Sequence, residues 1–230
     1  PRNDFEDFGL DIPEDYEIPR VHYLHGSRFT WANRGLYKTA YSGNNLCTST
    51  IDYASELGLE YLPPMVATVG HSAVLRRDID PLIISHTPTD TGNCNTKDIK
   101  ALCNKKGYVL NFKTMVSHKD ALVSKAQSNV GFDHLRGAFS VNTLENCAIG
   151  LAPVCGLKVD YLERLRQEGI SAPPFAGIQT IEDAAINLDM LDNDPEMHRQ
   201  IQKTAKDWVN THFNAAETYN RLKKFYEGVV

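Results

Sequence analysis

Two hydrophobic patterns alternate along residues 81–193: short continuous apolar runs, and longer stretches whose apolar residues recur every three or four positions. Continuous runs of this length are typical of strands buried on both faces, and the longer period predicts amphipathic helices. The alternation therefore predicts an α/β fold, a Rossmann-like parallel sheet with helices on both faces. The apolar runs are PLIIS (81–85), YVLNF (108–112), NVGFD (129–133) and APVCG (152–156).

Residues that can cap a helix stand where the helical stretches begin. Ser117 and Thr180 are each followed three residues later by an aspartate, which resembles a capping box. Further starts are predicted at Thr96 and Ser140, both as caps, and at Asp194 with Pro195 in the first turn. A last helix is predicted from Asn214 onward.

The N-terminal part of the chain has weaker signals. Strands are predicted at 21–25 and 45–50, and helices at about 33–41 and 51–58. Residues 61–66 contain two consecutive prolines, and each proline disfavours helix in the residue before it, so this segment is expected to be an extended connector. Residues 1–19 are expected to form an extended acidic lead-in.

Charge and cysteine usage narrow the classes of function. The formal net charge is −5, which disfavours a protein that binds duplex DNA mainly through its phosphates. The five cysteines form no CxxC pair, which favours reduced thiols and a cytoplasmic location, and disfavours a zinc site at Cys94 and Cys103. No bound metal is expected. The apolar runs are too short for a membrane span, and the acidic N-terminus does not look like a secretory signal.

The stretch GFDHLRGAFSVNTLENCAIGLAPVCG (131–156) carries the candidate chemistry. Its loop follows a predicted strand and precedes a predicted helix, so it lies at the edge of the sheet where ligands bind in open parallel sheets. Gly137 permits close approach of a ligand to the backbone, and the helix start at Ser140 suits a diphosphate. Glu145, one to two turns further on, has the chemistry to bind the vicinal hydroxyls of a ribose. The alternative is a solvent-facing Glu145, and the chain has no GxGxxG fingerprint of dinucleotide binding.

Several segments resemble, in order, those of GT-B-fold glycosyltransferases, in particular the retaining group 1 (family 4-like) enzymes. GAFSVNTLENCAIGLAPV is similar to that family's nucleotide-sugar loop, which runs roughly G-x-x-S-x-x-x-x-E-A-M-A-x-G-x-P-V. VHYLHGSRF resembles its strand ending in His-Gly-Ser, and LCTSTIDYASELGLEYLPPMV its crossover between domains. IISHTPTDTGNCNTKDIKAL and AKDWVNTHFNAAETYNRLKKFYEGV resemble the opening of the second domain and the closing helices.

The resemblance implies a role for individual residues. Glu145 would bind the ribose, and Gly137, Ser140 and Thr89 would hold the diphosphate of a nucleotide diphospho-sugar donor. His25 and Arg28 would face the reacting centre as the catalytic residues. No tightly bound cofactor is implied.

Two departures from the family are evident. Its basic pair, which neutralises the leaving diphosphate, is represented here by Thr91 and Cys94. Lys97 is close but offset; it, Arg28, Lys113, Arg136 or a divalent cation would have to replace the pair. The part before the second domain is also short, which implies either a truncated acceptor side or an acceptor half supplied by another chain. The sheet edge that a truncation exposes would be covered by the N-terminal tail, a second copy or a partner chain. The predicted organisation is residues 1–75 as this truncated portion, 76–208 as the nucleotide-sugar-binding domain, and 209–230 as a helix returning to the first portion.

The sequence therefore predicts a glycosyltransferase that moves a sugar from a nucleotide diphospho-sugar to a hydroxyl acceptor, with retention of configuration. Two alternatives remain open at this point. One is a catalytically degenerate relative that binds the donor or supports a partner, which the missing basic pair favours. The other is a nucleic-acid-modifying glycosyltransferase, which the acidic charge balance disfavours.

Overall fold

The computed structural model describes residues 21–24, 45–48, 59–64, 66, 81–89, 91–92 and 94–227. The chain divides into two compact units, one formed by residues 1–63 with 218–230 and the other by residues 64–217. The domain roles assigned from sequence, with boundaries after 75 and 208, stay a prediction. The helices predicted at 33–41 and 51–58 lie outside the described residues.

The first unit contains a parallel three-stranded sheet in the order β1–β2–β3. Its strands are Val21–Leu24 (β1), Asn45–Thr48 (β2) and Glu60–Tyr61 (β3). The pairing runs from Val21 opposite Asn45 to Thr48 opposite Tyr61. The strands predicted at 21–25 and 45–50 are therefore confirmed to within two residues.

The second unit is built on a parallel five-stranded sheet in the order β5–β4–β6–β7–β8. The fold class predicted from the alternating pattern is confirmed. The strands are Ile83–His86 (β4), Val109–Phe112 (β5), Val130–Phe132 (β6), Ala152–Gly156 (β7) and Gly177–Ile178 (β8). The four apolar runs became β4 to β7. β4, β6 and β7 lie inside the sheet, where a strand with both faces covered needs apolar side chains in both directions, whereas β5 is an edge strand and its Val109 is half-exposed.

Seven described helices surround this sheet or follow it. They are Thr96–Lys106 (α1), His118–Ala126 (α2), Val141–Ile149 (α3), Val159–Gln167 (α4), Ile181–Asn193 (α5), Pro195–His212 (α6) and Ala215–Glu227 (α7). Ser117, Ser140, Thr180 and Asp194 each accept a hydrogen bond from a backbone N–H in the first turn of the following helix, as predicted. The pattern gave no expectation for α4 or for the two-residue β8.

The register of the sheet explains why helices cover both faces. Ile84, Val130 and Ala152 are aligned across neighbouring strands, and their side chains point to one face, where they pack in a core with Ile99 of α1 and Leu188 of α5. The next aligned residues, including Gly131, point to the opposite face. There, a Cβ on Gly131 would overlap Asn146 of α3, so α3 packs directly against the backbone of β6.

Thr96 was predicted to cap α1, and this is wrong. The N-cap is Asn95, which has a left-handed backbone and makes no side-chain cap bond, and Thr96 is the first helical residue. The Thr96 hydroxyl is instead hydrogen bonded to the buried ring of His86, 2.9 Å from Nε2. The hydroxyl that the local sequence predicts as a helix cap is therefore hydrogen bonded to a residue ten positions earlier in the chain.

Candidate functional site

The strand order places a switch point between β4 and β6, because β5 lies on one side of β4 and the later strands lie on the other. In open α/β sheets, ligands bind outside the carboxyl ends of the strands at such a point. The loops that leave β4 and β6 here begin with Thr87 and Asp133. The Thr87 hydroxyl donates to Asn142 Oδ1 at 3.0 Å, which links the end of β4 to the first turn of α3.

Asp133 anchors the loop that joins β6 to α3. Its carboxylate is buried, and its Oδ2 accepts from the hydroxyls of Ser140 at 2.5 Å and Thr143 at 2.6 Å, and from the backbone N–H of Ser140 at 3.4 Å. Burial alone would raise the pKa of Asp133. The electrostatic influence of the neighbouring His134 and the hydrogen bonds from Ser140, Thr143 and Asn142 outweigh it, so the pKa of Asp133 lies below its usual value. Asp133 is therefore an ionised anchor at neutral pH.

His86 closes the same edge from β4. Its Nδ1 lies 3.3 Å from the carbonyl oxygen of Phe132, which can only accept, so Nδ1 carries the proton and Nε2 of the neutral ring accepts from Thr96. Burial is the main cause that lowers the pKa of His86. We interpret His86 as a neutral cross-link between β4, β6 and α1.

The backbone of the loop before α3 is tightly packed. Gly137 has φ of 89°, a conformation that non-glycine residues rarely adopt, and a Cβ added to it would overlap the Cγ, Cδ and Cε atoms of Lys158. The Lys158 backbone N–H also donates to the Gly137 carbonyl at 2.8 Å. The aliphatic stem of Lys158 thus crosses Gly137 directly. A Cβ on Gly156 would come within 2.5 Å of the Leu135 carbonyl carbon, so β7 supports the loop from its other side.

Phe139 attaches this loop to the helices beyond it. Its ring is buried and meets the rings of Tyr161, Trp208 and Phe213 edge-on, with centroids 5.1, 5.6 and 5.9 Å apart. Edge-to-face aromatic pairs contribute about 0.5–1.5 kcal/mol each beyond the area they bury. The residue next to the cap of α3 is therefore fixed by α4 and by the end of α6.

Gly137→Ala is expected to reduce the free energy of unfolding by about 1–2 kcal/mol for its left-handed backbone, with a further cost for displacing Lys158. Gly107→Ala is a matched control, because Gly107 has φ of 76° and open space where a Cβ would be. Denaturant unfolding of both variants separates the two costs. Adding Lys158→Ala to Gly137→Ala is expected to restore only the stability lost by displacing Lys158, and to leave the cost of the left-handed backbone, which Gly107→Ala measures. An unchanged cost in that double variant would contradict the described packing.

Glu145 lies on α3 against α2 and has two partners there. Its Oε2 accepts from the Lys125 ammonium at 2.5 Å, and its Oε1 lies 2.8 Å from Nε2 of His118. The side chains are 1% exposed for Lys125, 13% for Glu145 and 64% for His118. The alternative of a solvent-facing Glu145 is thus not what the structure has: the carboxylate is held between a buried cation and an exposed imidazole.

The predicted site residues have the following positions. Ser140 caps α3, and because its hydroxyl donates to Asp133 and accepts from the Asn142 N–H, it already has partners within the protein. Gly137 is buried, and Thr89 and Lys97 are exposed. His25 and Arg28 lie outside the described residues. Their roles, and those of the other predicted site residues, stay predictions.

Sequence reasoning missed Asp133 as an anchor, Lys125 as the partner of Glu145, and Lys158. One available signal was the position of Lys125, which follows Leu122 at helical spacing on a stripe that must face the core. Its partner, 20 residues further along, leaves no comparable local signal. Lys158 stands directly before α4, a helix that the pattern had not predicted.

Neither a cluster of metal ligands nor a disulfide bond is found among the described residues. Within residues 94–227 and the shorter described segments, no three His, Cys, Asp or Glu side chains are grouped as metal ligands. Cys103, Cys147 and Cys155 are free thiols. Burial raises the pKa of Cys103 to about 11, and it also raises the pKa of Cys147 and Cys155. No described helix is both long and apolar enough to cross a membrane.

Comparisons with known proteins find similarity at the level of the fold. A scan against protein-family models finds no match, and a search of the curated proteins finds no similar sequence. Among solved structures, a sucrose-phosphate synthase from Thermosynechococcus elongatus superposes with a TM-score of 0.63 at 11% identity, over 94% of this chain and 69% of that one.

A structure of TarM superposes with a TM-score of 0.65 at 7% identity, over 93% of this chain and 51% of that one. A variant of S. aureus TarM in complex with fondaparinux, alpha-GlcNAc-glycerol and UDP gives 0.57 at 12% identity, over 90% and 50% of the two chains. The chain therefore spans about half the length of the TarM structures it matches. At these identities, the likeness is one of fold.

Proposed function

We propose, starting from the GT-B glycosyltransferase fold that these likenesses show, that the chain transfers a sugar from a nucleotide diphospho-sugar to a hydroxyl acceptor, with retention of configuration. The observation that carries the proposal is the arrangement of α3. Its N-terminus stands at the switch point of the sheet, and Glu145 follows five residues after the cap. At a rise of ~1.5 Å per residue, the cap and Glu145 are separated by roughly 7.5 Å along the helix axis. That spacing suits the phosphates and the ribose of one nucleoside diphosphate.

The diphosphate would be bound mainly by backbone groups. The first turn of a helix has N–H groups without partners inside the helix and a partial positive charge, both of which favour a phosphate. Gly137, being without a side chain, keeps this loop narrow. The Ser140 hydroxyl is engaged by Asp133, so Ser140 would contribute by holding the helix start in place rather than by donating its own proton.

Charge stabilisation of the leaving diphosphate needs cations, because this is often the largest catalytic contribution in such transfers. Thr91 and Cys94, in place of the family's basic pair, supply none. We include Lys158 in the proposal together with Lys97. The Cγ, Cδ and Cε atoms of Lys158 cross Gly137, and the ammonium is bonded to Cε, so it lies beside the same loop. Lys113 and Arg136 are exposed and remain alternatives. UDP in the TarM variant's complex supports a nucleoside diphosphate as the ligand class.

His25 and Arg28 would act at the reacting centre. A second copy of the chain or a separate partner chain would complete the acceptor side, and the location would be cytoplasmic, which the free thiols support. A second candidate function is donor binding without turnover. The uncharged residues at positions 91 and 94 favour it, since they leave the departing diphosphate with less positive charge.

The proposed function is tested by thermal shift with UDP, GDP and ADP and the corresponding nucleotide sugars. A ligand that binds only the folded state at 100 times its Kd stabilises it by about 2.7 kcal/mol, so at least one diphosphate is expected to raise the Tm. Glu145→Gln, which keeps an acceptor for Lys125, is expected to lose about half of that stabilisation, because a tenfold weaker affinity removes ~1.4 kcal/mol. If it responds as fully as the parent, the ribose assignment is wrong.

Turnover separates the two candidate functions. Slow hydrolysis of a nucleotide sugar that also raises the Tm is expected for the enzyme. Binding without hydrolysis, for every sugar and with or without Mg²⁺ or Mn²⁺, would favour the donor-binding protein. A parent that binds no nucleotide at all would overturn both.

A further inference from the structure

The feature that carries a further inference is the cluster of Lys125, Glu145 and His118 between α2 and α3. Lysine is almost never fully buried unless it is paired, and removing an ammonium from water costs several kcal/mol even after relaxation. The buried Lys125 ammonium therefore needs a charged partner, and it holds the Glu145 carboxylate in place at 2.5 Å.

The two partners of Glu145 differ in how easily they can be replaced. Lys125 is 1% exposed, whereas His118 is 64% exposed and stands at the first position of α2. Even an exposed ion pair contributes only about 0–1 kcal/mol, so an incoming hydrogen-bond donor can replace the exposed His118 ring at little cost. The Lys125 ammonium is buried, so neither water nor a ligand can readily replace Glu145 as its partner.

The geometry of α2 locates the carboxylate. Side chains on a helix lean toward its N-terminus, so the Lys125 ammonium reaches back from the last turn toward the end where His118 begins. That end follows β5 and lies at the carboxyl edge of the sheet. The carboxylate therefore faces the ligand-binding edge through the oxygen that His118 covers. Each carboxylate oxygen has two lone-pair sites, so Lys125 and a diol can be accepted together.

We propose that Lys125 is the positioning residue that fixes Glu145 for a vicinal diol, and that His118 covers the accepting oxygen until the diol replaces it. The inference rests on the proposed function, since it assumes that Glu145 meets the ribose of a nucleoside diphosphate. Lys125 acts through Glu145 and does not touch the ligand. His118 leaves the carboxylate when the ligand arrives.

The test compares affinities for a nucleoside diphosphate and for its 2′,3′-dideoxy analogue, because only the ribose hydroxyls differ between them. UDP, GDP or ADP is used, whichever stabilises the parent most. The parent is expected to prefer the ribose form about tenfold, or ~1.4 kcal/mol. Lys125→Met is expected to reduce that preference to twofold or less while affinity for the dideoxy form is retained. A merely structural role would lower both affinities together.

His118→Ala is expected to leave the preference intact or to increase it severalfold, because a competing contact is removed. Lys119→Ala, which removes a charge from the next exposed position of α2, is its control and is expected to change neither affinity. If His118→Ala loses the preference as Lys125→Met does, the covering role is wrong.

The double variant Lys125→Met with Glu145→Gln, which removes both charges, separates a loss of stability from a loss of ribose recognition. It is expected to be more stable than Lys125→Met alone, because no unpaired carboxylate remains in the half-buried position, and to show no preference for ribose. Retention of the tenfold preference in Lys125→Met would overturn the inference while the proposed function stands. Retention of the preference in the double variant would overturn the ribose assignment of Glu145 as well. A parent that binds no diphosphate would overturn both.

Discussion

Replacing Glu145 by alanine is expected to lower the free energy of unfolding by about 3–5 kcal/mol, the range found when a buried ion pair loses one member. The reason is the Lys125 ammonium, which is 1% exposed and would be left without the carboxylate that now accepts its hydrogen bond at 2.5 Å. Chemical denaturation at neutral pH measures the loss.

Two comparisons make this result specific. Glu145→Gln keeps an oxygen acceptor for Lys125 and is expected to lose clearly less stability than Glu145→Ala. Glu163→Ala removes an exposed glutamate that pairs with Arg166 on the surface of α4, and it is expected to leave stability unchanged within error. A Glu145→Ala variant as stable as Glu163→Ala would contradict the buried ion pair.

The stability loss expected for Glu145→Ala affects the choice of variant for nucleotide-binding assays. A Glu145→Ala variant that fails to respond to a nucleotide would be ambiguous, because the same substitution weakens the packing of α2 on α3. Glu145→Gln is the better probe, since it changes the charge offered to a ribose with less damage to the surrounding structure.

Asp133→Ala is the second large effect. Three hydrogen bonds end on one buried carboxylate oxygen, and hydrogen bonds to charged groups contribute about 1.5–3 kcal/mol each without full additivity. We expect a loss of roughly 3–5 kcal/mol in the free energy of unfolding. We also expect faster proteolysis between 133 and 140, because the loop before α3 would lose its anchor.

The pH dependence of this loss follows from the lowered pKa of Asp133. A carboxyl whose pKa is lower in the folded state than in the unfolded chain, where it is about 3.9, stabilises the fold above that value. Its contribution is lost as the pH falls through the lower, folded pKa. The difference in stability between the parent and Asp133→Asn is therefore expected to be largest near neutral pH and to shrink below about pH 4.

Asp120 offers a matched control for Asp133. It also accepts from a serine hydroxyl beside a helix start, Ser117 at 2.7 Å, but it is exposed. Asp120→Ala is expected to leave stability nearly unchanged. If both aspartates cost the same, burial is not what makes Asp133 important.

Prediction from the sequence succeeded where the deciding interactions are local. The runs that became β4 to β7 are continuous and mostly apolar, and Ser117, Ser140 and Thr180 cap helices through bonds to residues two or three positions away. β8 has two residues, too few to establish a period. α4 is amphipathic, but its buried positions are only Tyr161 and Leu165, a narrow stripe.

Prediction failed where a residue's partner is distant in sequence. Thr96 was assigned to a helix cap because no local feature announces that His86 takes its hydroxyl. The loop from 131 to 140 was identified as the candidate site from its glycines, its cap and its position in the alternation. The groups that hold this site in place, Asp133 beneath the loop and Lys125 behind Glu145, became evident only from the packing.

The aromatic contacts of Phe139 give the molecule a built-in optical reporter. Trp208 meets that ring edge-on, and its indole N–H donates to the Ser171 carbonyl at 2.9 Å. The chain has two tryptophans, so Trp31→Phe leaves Trp208 as the sole emitter at 295 nm excitation. Its emission wavelength and quenching would then follow any rearrangement at the start of α3 in real time, without an attached dye.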